Sequence, residues 1–249
     1  MTAVRIIIVN FAIFLSIKGI WLITPGLAET IINALALPST FGEAAAAPWS
    51  VLSYMFVHID FWHLLVNALW LAWFGSLLER IAGWRWMLAD IIAGGLAGAV
   101  SYLTLPLAVG GTEPTLLLGA SAATLAVISA TLVSAPDKRI QMPLIGTVSL
   151  KLLSAAGLGI FVCASLEMTA AQTAAHAGGL VAGTISAFIW KHLSRRKMEQ
   201  MKALTRERVT HMSLVEKARR SGYASLSRNE QLKLFDLSNR DTTRHAPFQ

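Results

Sequence analysis

Apolar residues gather in six long stretches, at 4–23, 61–79, 86–105, 116–135, 148–166 and 171–190. Each approaches the roughly 17–25 residues that carry a helix across a bilayer. Turn formers and charges separate them. Pro25, Pro38 and Pro48 punctuate a long first loop, and Glu79, Arg80, Gly83 and Arg85 divide the second stretch from the third. Pro106, Gly110, Gly111 and Pro114 follow the third, Pro136, Asp137, Lys138, Arg139 and Pro143 the fourth, and Glu167 and Thr169 the fifth. The pattern predicts an all-α membrane protein of six spanning helices over residues 1–192. The polar remainder, 193–249, predicts a small helical tail.

Composition sharpens this division. Charged residues are 14% of the chain, against about 25% in soluble domains. Of 21 Lys and Arg, 13 lie after residue 192, so the tail is basic and the body is not. Basic residues flanking apolar spans belong at a cytoplasmic membrane face, so the net charge of +7 does not imply a nucleic-acid partner. The single cysteine, Cys163, excludes an internal disulfide and a cysteine metal site; it reads as a small buried hydrophobe. The stretch from Val4 to Ile23 reads as a retained first span, since no small-residue cleavage site follows a short apolar core.

Lys and Arg also set direction. One side collects Arg5, Arg80, Arg85, Lys138, Arg139, Lys151, Lys191 and the tail; the other collects Glu29, Glu43, Asp60, Glu113 and Glu167 with no Lys or Arg in its loops. Both termini are therefore expected in the cytoplasm. Lys18 is the discordant charge and is placed to snorkel outward.

Polar side chains inside hydrocarbon need partners, and ionisable ones mark functional sites. His63 and Asn67 stand near the start of the second stretch, Ser121 near the start of the fourth and His176 near the start of the sixth. Alternate spans enter from the same face, so these four share one shallow depth. A spacing of four sets His63 and Asn67 on one helix face. Small residues surround the other two, in Gly119-Ala120-Ser121-Ala122-Ala123 and Ala174-Ala175-His176-Ala177-Gly178-Gly179, with Gly183 completing a GxxxG pair. Such helices can pack backbone to backbone. A serine becomes a nucleophile when a neighbouring histidine takes its proton. His63, the Asn67 amide and backbone N–H groups near Ser121 can then donate to the oxyanion. Asp90 falls near the opposite end of its span, which points to a dyad rather than a triad. A lone membrane serine commonly bonds its own backbone, and His63 with Asn67 could serve only as helix glue; the coincidence of all four carries the functional reading.

At these residues the chain resembles the rhomboid family of intramembrane proteases, over about residues 48–190. His63-x-x-x-Asn67, Gly119-Ala120-Ser121 and Ala175-His176-x-x-Gly179-x-x-x-Gly183 are similar to the family's motifs, in order and spacing. Gly75-x-x-x-Glu79-x-x-x-Gly83 resembles the end of the family's second helix, where the glutamate is structural, and Trp49 resembles its first-loop aromatic. The resemblance implies a six-helix rhomboid bundle with Ser121 as nucleophile and His176 as general base. It implies an oxyanion hole from His63, Asn67 and the Ser121 N–H. It implies cleavage of transmembrane or membrane-proximal segments, without metal or other cofactor, in a water-filled dip open to the outside. A bacterial inner membrane is implied by analogy. Three positions depart from the family pattern: Ala122 replaces a common glycine, Leu125 replaces an aromatic that stacks on the histidine, and Ser50 replaces the first-loop arginine. The loss at Leu125 predicts a less firmly held His176.

Other readings are a protease-dead relative that binds membrane clients, and a solute transporter. The latter would show paired half-helices or internal repeats, and the sequence shows neither. In the tail, Leu204, Met212 and Val215 suggest one helix ended by Ser221-Gly222, and Ser227-x-x-Glu230 reads as a capping box opening a second. The segment around 215–227 resembles a short cytosolic module on some bacterial rhomboids. Anionic lipid or a cytosolic protein is the expected partner of the tail; nucleic acid is not.

Overall fold

The computed structural model describes residues 1–109, 116–142, 146–165 and 168–244. Gly110, Gly111, Glu113, Pro114, Pro143 and Glu167 lie outside the described residues. The chain forms two compact units, Met1–Lys191 and His192–Gln249.

The first unit is an all-α membrane bundle. Helix α1 spans Thr2–Ile23, and Pro25, at the first position of a helix where no N–H is required, opens α2 (Pro25–Leu35). The rest of the first loop folds into strand β1 (Leu37–Pro38), short helices α3 (Phe41–Ala46) and α4 (Ser50–Ser53) and a 3₁₀ turn over Tyr54–Phe56. Trp49 and Ser53 tie this loop down: the indole N–H donates to the Ala34 carbonyl at 2.7 Å, and the Ser53 hydroxyl to Leu35 at 2.7 Å. Helices α5 (Phe61–Trp70) and α6 (Ser76–Ala82) join through one wide turn, Leu71–Gly75, into a single stretch. Gly83, at φ +92°, ends it, as only glycine does without strain. Helix α7 (Trp84–Val109), strand β2 (Leu116–Leu117), α8 (Ser121–Ser134), the hairpin β3–β4 (Arg139–Met142 with Gly146–Ser149) and α9 (Leu150–Ser165) follow. Helix α10 runs Ala170–Ser221 and so passes the boundary between the units.

Among the described residues three stretches, Thr2–Ile23, Phe61–Ala82 and Trp84–Thr104, are long and apolar enough to cross a membrane. Ser121–Ser134 and Leu150–Cys163 are apolar but shorter. The expected span at 116–135 is thus cut down at its start: Leu116 and Leu117 pair as a strand with Pro38 and Leu37, and the helix begins only at Ser121. A short helix suffices here because α8 is the core of the bundle. Every residue from Ser121 to Thr131 is buried, so α8 meets protein on all sides. The outer helices face the opposite way. Cys163 is exposed on α9, which corrects the expectation of a buried thiol. On a lipid-facing helix an outward position is as apolar as an inward one, so hydrophobicity does not report burial.

Close packing rests on small residues. A Cβ on Gly179 would overlap the Ala122 carbonyl oxygen, and one on Gly183 the Ala126 carbonyl oxygen; α10 therefore lies backbone against backbone on α8. Glu79 closes another junction. Its carboxylate accepts the Thr2 N–H at 2.9 Å and the Ala3 N–H at 3.3 Å, which satisfies the orphan donors and the positive pole at the start of α1. At the far end of α8 the Lys191 ammonium donates to the Val133 carbonyl at 2.7 Å.

In the second unit, Gly222 at φ +83° ends α10, and α11 (Arg228–Arg244) follows a 3₁₀ turn over Tyr223–Ser225. Leu214, Leu226 and Leu237 are buried within this unit. Ser227 and Glu230 cap α11 reciprocally: Ser227 N–H donates to the carboxylate at 2.8 Å and Glu230 N–H to the hydroxyl at 3.3 Å. Lys217 pairs with Glu230 at 2.8 Å. The first tail helix foreseen from sequence is the continuation of α10 rather than a separate element.

Candidate active site

Ser121 is the first residue of α8, and the segment before it is held from three directions. Gly119 takes φ +98°, and its N–H donates to the Tyr54 carbonyl at 3.0 Å. The Ala120 N–H donates to His58 Nε2 at 3.2 Å. The Tyr54 hydroxyl in turn donates to the Gly95 carbonyl on α7 at 2.8 Å. A Cβ on Gly119 would also run into the His63 ring, so the glycine meets two requirements, backbone conformation and room for the imidazole.

His63 is the third residue of α5. Asp60 caps that helix, its carboxylate accepting the His63 N–H at 2.8 Å, and such caps are worth about 1 kcal/mol. His63 Nε2 is buried and meets no hydrogen-bond partner among the described residues. The side-chain amide of Asn67, one turn on, donates to the His63 carbonyl at 2.9 Å.

His176 lies near the start of α10, and its Nε2 stands 2.8 Å from Ser121 Oγ, with both residues buried. With the ring proton on Nδ1, Nε2 accepts from the hydroxyl. The His176 ring also meets Phe161 of α9 edge-on, centroids 5.6 Å apart.

Ser121, His176 and His63 open on one cleft of about 320 Å³. Leu116, Leu117 and Leu118 form one wall, Met168 and Gln172 another, and Asp60 and Ile59 stand at the start of α5. The helices α5, α8 and α10 therefore all begin at the cleft. Of the four polar residues singled out in the sequence, three reach it. Asn67 does not line it; the amide expected to donate directly to an oxyanion is instead turned to its own helix, and supports the His63 turn from below. Asp90 is fully buried and does not line the cleft.

His58 is the residue that sequence reasoning passed over. It is fully buried and packs edge-on against His63, centroids 5.2 Å apart. Its signal was present: a second histidine five residues before His63, in an otherwise apolar Val57-His58-Ile59. Among the described residues no group of three His, Cys, Asp or Glu side chains is placed to hold a metal ion.

Ser121 and His176 thus stand within hydrogen-bonding distance in a mostly apolar cleft. Comparison with known proteins agrees. A family model described as the Rhomboid domain matches residues 45–192, which takes in every residue of the cleft. A comparison with curated proteins gives no match. The chain belongs to the rhomboid family, whose members generally are intramembrane serine proteases.

Proposed function

We propose that this chain is an intramembrane serine endopeptidase that cleaves transmembrane or membrane-proximal segments of other membrane proteins through an acyl-enzyme. The observation that carries the reading is the 2.8 Å approach of His176 Nε2 to Ser121 Oγ inside the bundle. His176 takes the hydroxyl proton as Ser121 Oγ attacks the scissile carbonyl, then gives it to the leaving amine; water enters by the same base to release the acyl group. The developing oxyanion is served by the unpaired His63 Nε2, carrying a proton, and by the Ser121 N–H, which has no acceptor within a helix it begins. Donors of this kind are each worth about 3–4 kcal/mol in the transition state. Asn67 acts one step back, fixing the His63 turn. No cofactor enters these steps.

The same reading places six membrane-crossing segments, both termini in the cytoplasm and the cleft at the outer surface of a bacterial inner membrane. The Lys and Arg distribution supports that orientation. The tail exposes Met198, Met201, Val209 and Met212 on a helix rich in Lys and Arg, which fits anionic lipid or a cytosolic partner.

The test is covalent labelling. A fluorophosphonate should modify the wild type, and Ser121→Ala should abolish both labelling and cleavage of single-span substrates in liposomes. Labelling unchanged in Ser121→Ala would defeat the enzyme reading and favour a client-binding relative.

A further inference from the structure

Asp60 is the one carboxylate among the described residues that line the cleft. Its neighbours there are leucines, a methionine, an isoleucine, a glutamine and the site histidines, none of which is a fixed cation. It is exposed, and it forms no ion pair with any described residue. One carboxylate oxygen accepts the His63 N–H; the other makes no hydrogen bond to a described residue. It precedes His63 by three residues at the start of α5, about 4–5 Å further toward the mouth at 1.5 Å per residue. The connection between α1 and α5 also carries Glu29 and Glu43, and no Lys or Arg.

A carboxylate that only caps a helix can be replaced by serine, threonine or asparagine at little loss. Here it also supplies a negative charge at the cleft, and among the described residues no Lys or Arg pairs with that charge. We propose that Asp60 is a specificity determinant, and that the preferred substrates carry Lys or Arg within a few residues of the scissile bond, on the side nearer solvent. The inference rests on the protease reading of the cleft. Because the pair forms at an exposed rim, its effect is modest and screened by salt: about fivefold in kcat/KM for a lysine substrate over its glutamine counterpart, and more over glutamate, which like charge repels.

The experiment uses the full chain in liposomes and three single-span substrates, identical except for Lys, Gln or Glu at one position on the solvent side of the cut. Wild type should rank them Lys, Gln, Glu at low salt, with the ratios shrinking as salt rises. Asp60→Ser keeps the helix cap and Asp60→Asn keeps the shape; in both, the Lys-to-Glu ratio should fall toward one. A wild-type ratio near one, with cleavage lost in Ser121→Ala, overturns the role of Asp60 while leaving the protease standing. A ratio that persists in both Asp60 variants overturns it equally. Cleavage that survives Ser121→Ala overturns the protease reading, and this inference with it.

Discussion

The ring of Phe161 on α9 meets the ring of His176 on α10 edge-on, with planes at 75°. This contact bears on the departure at Leu125. The family commonly places an aromatic on the helix of the nucleophile to stack on the histidine, and Leu125, fully buried, cannot do so. Phe161 brings aromatic support from a different helix, and His176 is not left without a ring beside it. Edge-to-face pairs are worth about 0.5–1.5 kcal/mol. Phe161→Leu should therefore lower kcat/KM by about tenfold or less, while Phe161→Tyr should stay near wild type. Equal activity in all three proteins would show that the contact does not position the imidazole.

His58 accepts the Ala120 N–H one residue before the nucleophile. Removing the acceptor leaves a buried donor unsatisfied, at a cost of about 1–3 kcal/mol. His58→Ala should lower the unfolding midpoint in detergent and slow fluorophosphonate labelling of Ser121. A variant with an unchanged midpoint and labelling rate would refute the role given to this hydrogen bond.

Two glycines on different helices make a paired test of packing. A methyl on Gly179 collides with the Ala122 backbone, whereas one on Gly159 meets nothing within 4 Å. Gly179→Ala should destabilise by about 1–3 kcal/mol, as overpacking does, and reduce Ser121 labelling by separating α10 from α8. Gly159→Ala should do neither. Thermal denaturation and labelling of both variants give the answer.

In the tail, the Lys217 ammonium and the Ser227 groups hold the Glu230 carboxyl down at about 2, from an ordinary 4.5. A depressed folded-state value means that the ionised form is favoured by folding. Its contribution is complete above about 4.5 and is lost as pH falls toward 2. Hydrogen exchange of α11 in the full chain, corrected for intrinsic rates, should accelerate across that interval. Glu230→Gln should remove this pH dependence; if it leaves the pH dependence intact, another group is responsible.

Much of the arrangement is legible in the sequence. Apolar length marks the helices, and the polar residues stranded in apolar stretches, Ser121, His63 and His176, are the ones that the fold brings to one cleft. What escaped has a common cause. Within an apolar run, hydropathy does not distinguish lipid from protein as the neighbour, so neither the exposure of Cys163 nor the position of Phe161 beside His176 is legible there. The start of α8 is hidden because Leu116 and Leu117 continue the apolar pattern while pairing as a strand. A spacing of four relates Asn67 to His63 but does not say which way its amide turns.

Helix α8 is wrapped by protein along the eleven residues from Ser121 to Thr131. A segment so sheathed is under no obligation to match the thickness of its surroundings. Thicker or thinner bilayers press on the peripheral helices and alter their tilt, while the serine keeps its depth relative to its own scaffold. The same protein can thus be inserted into membranes of differing composition without moving its reactive oxygen away from its base.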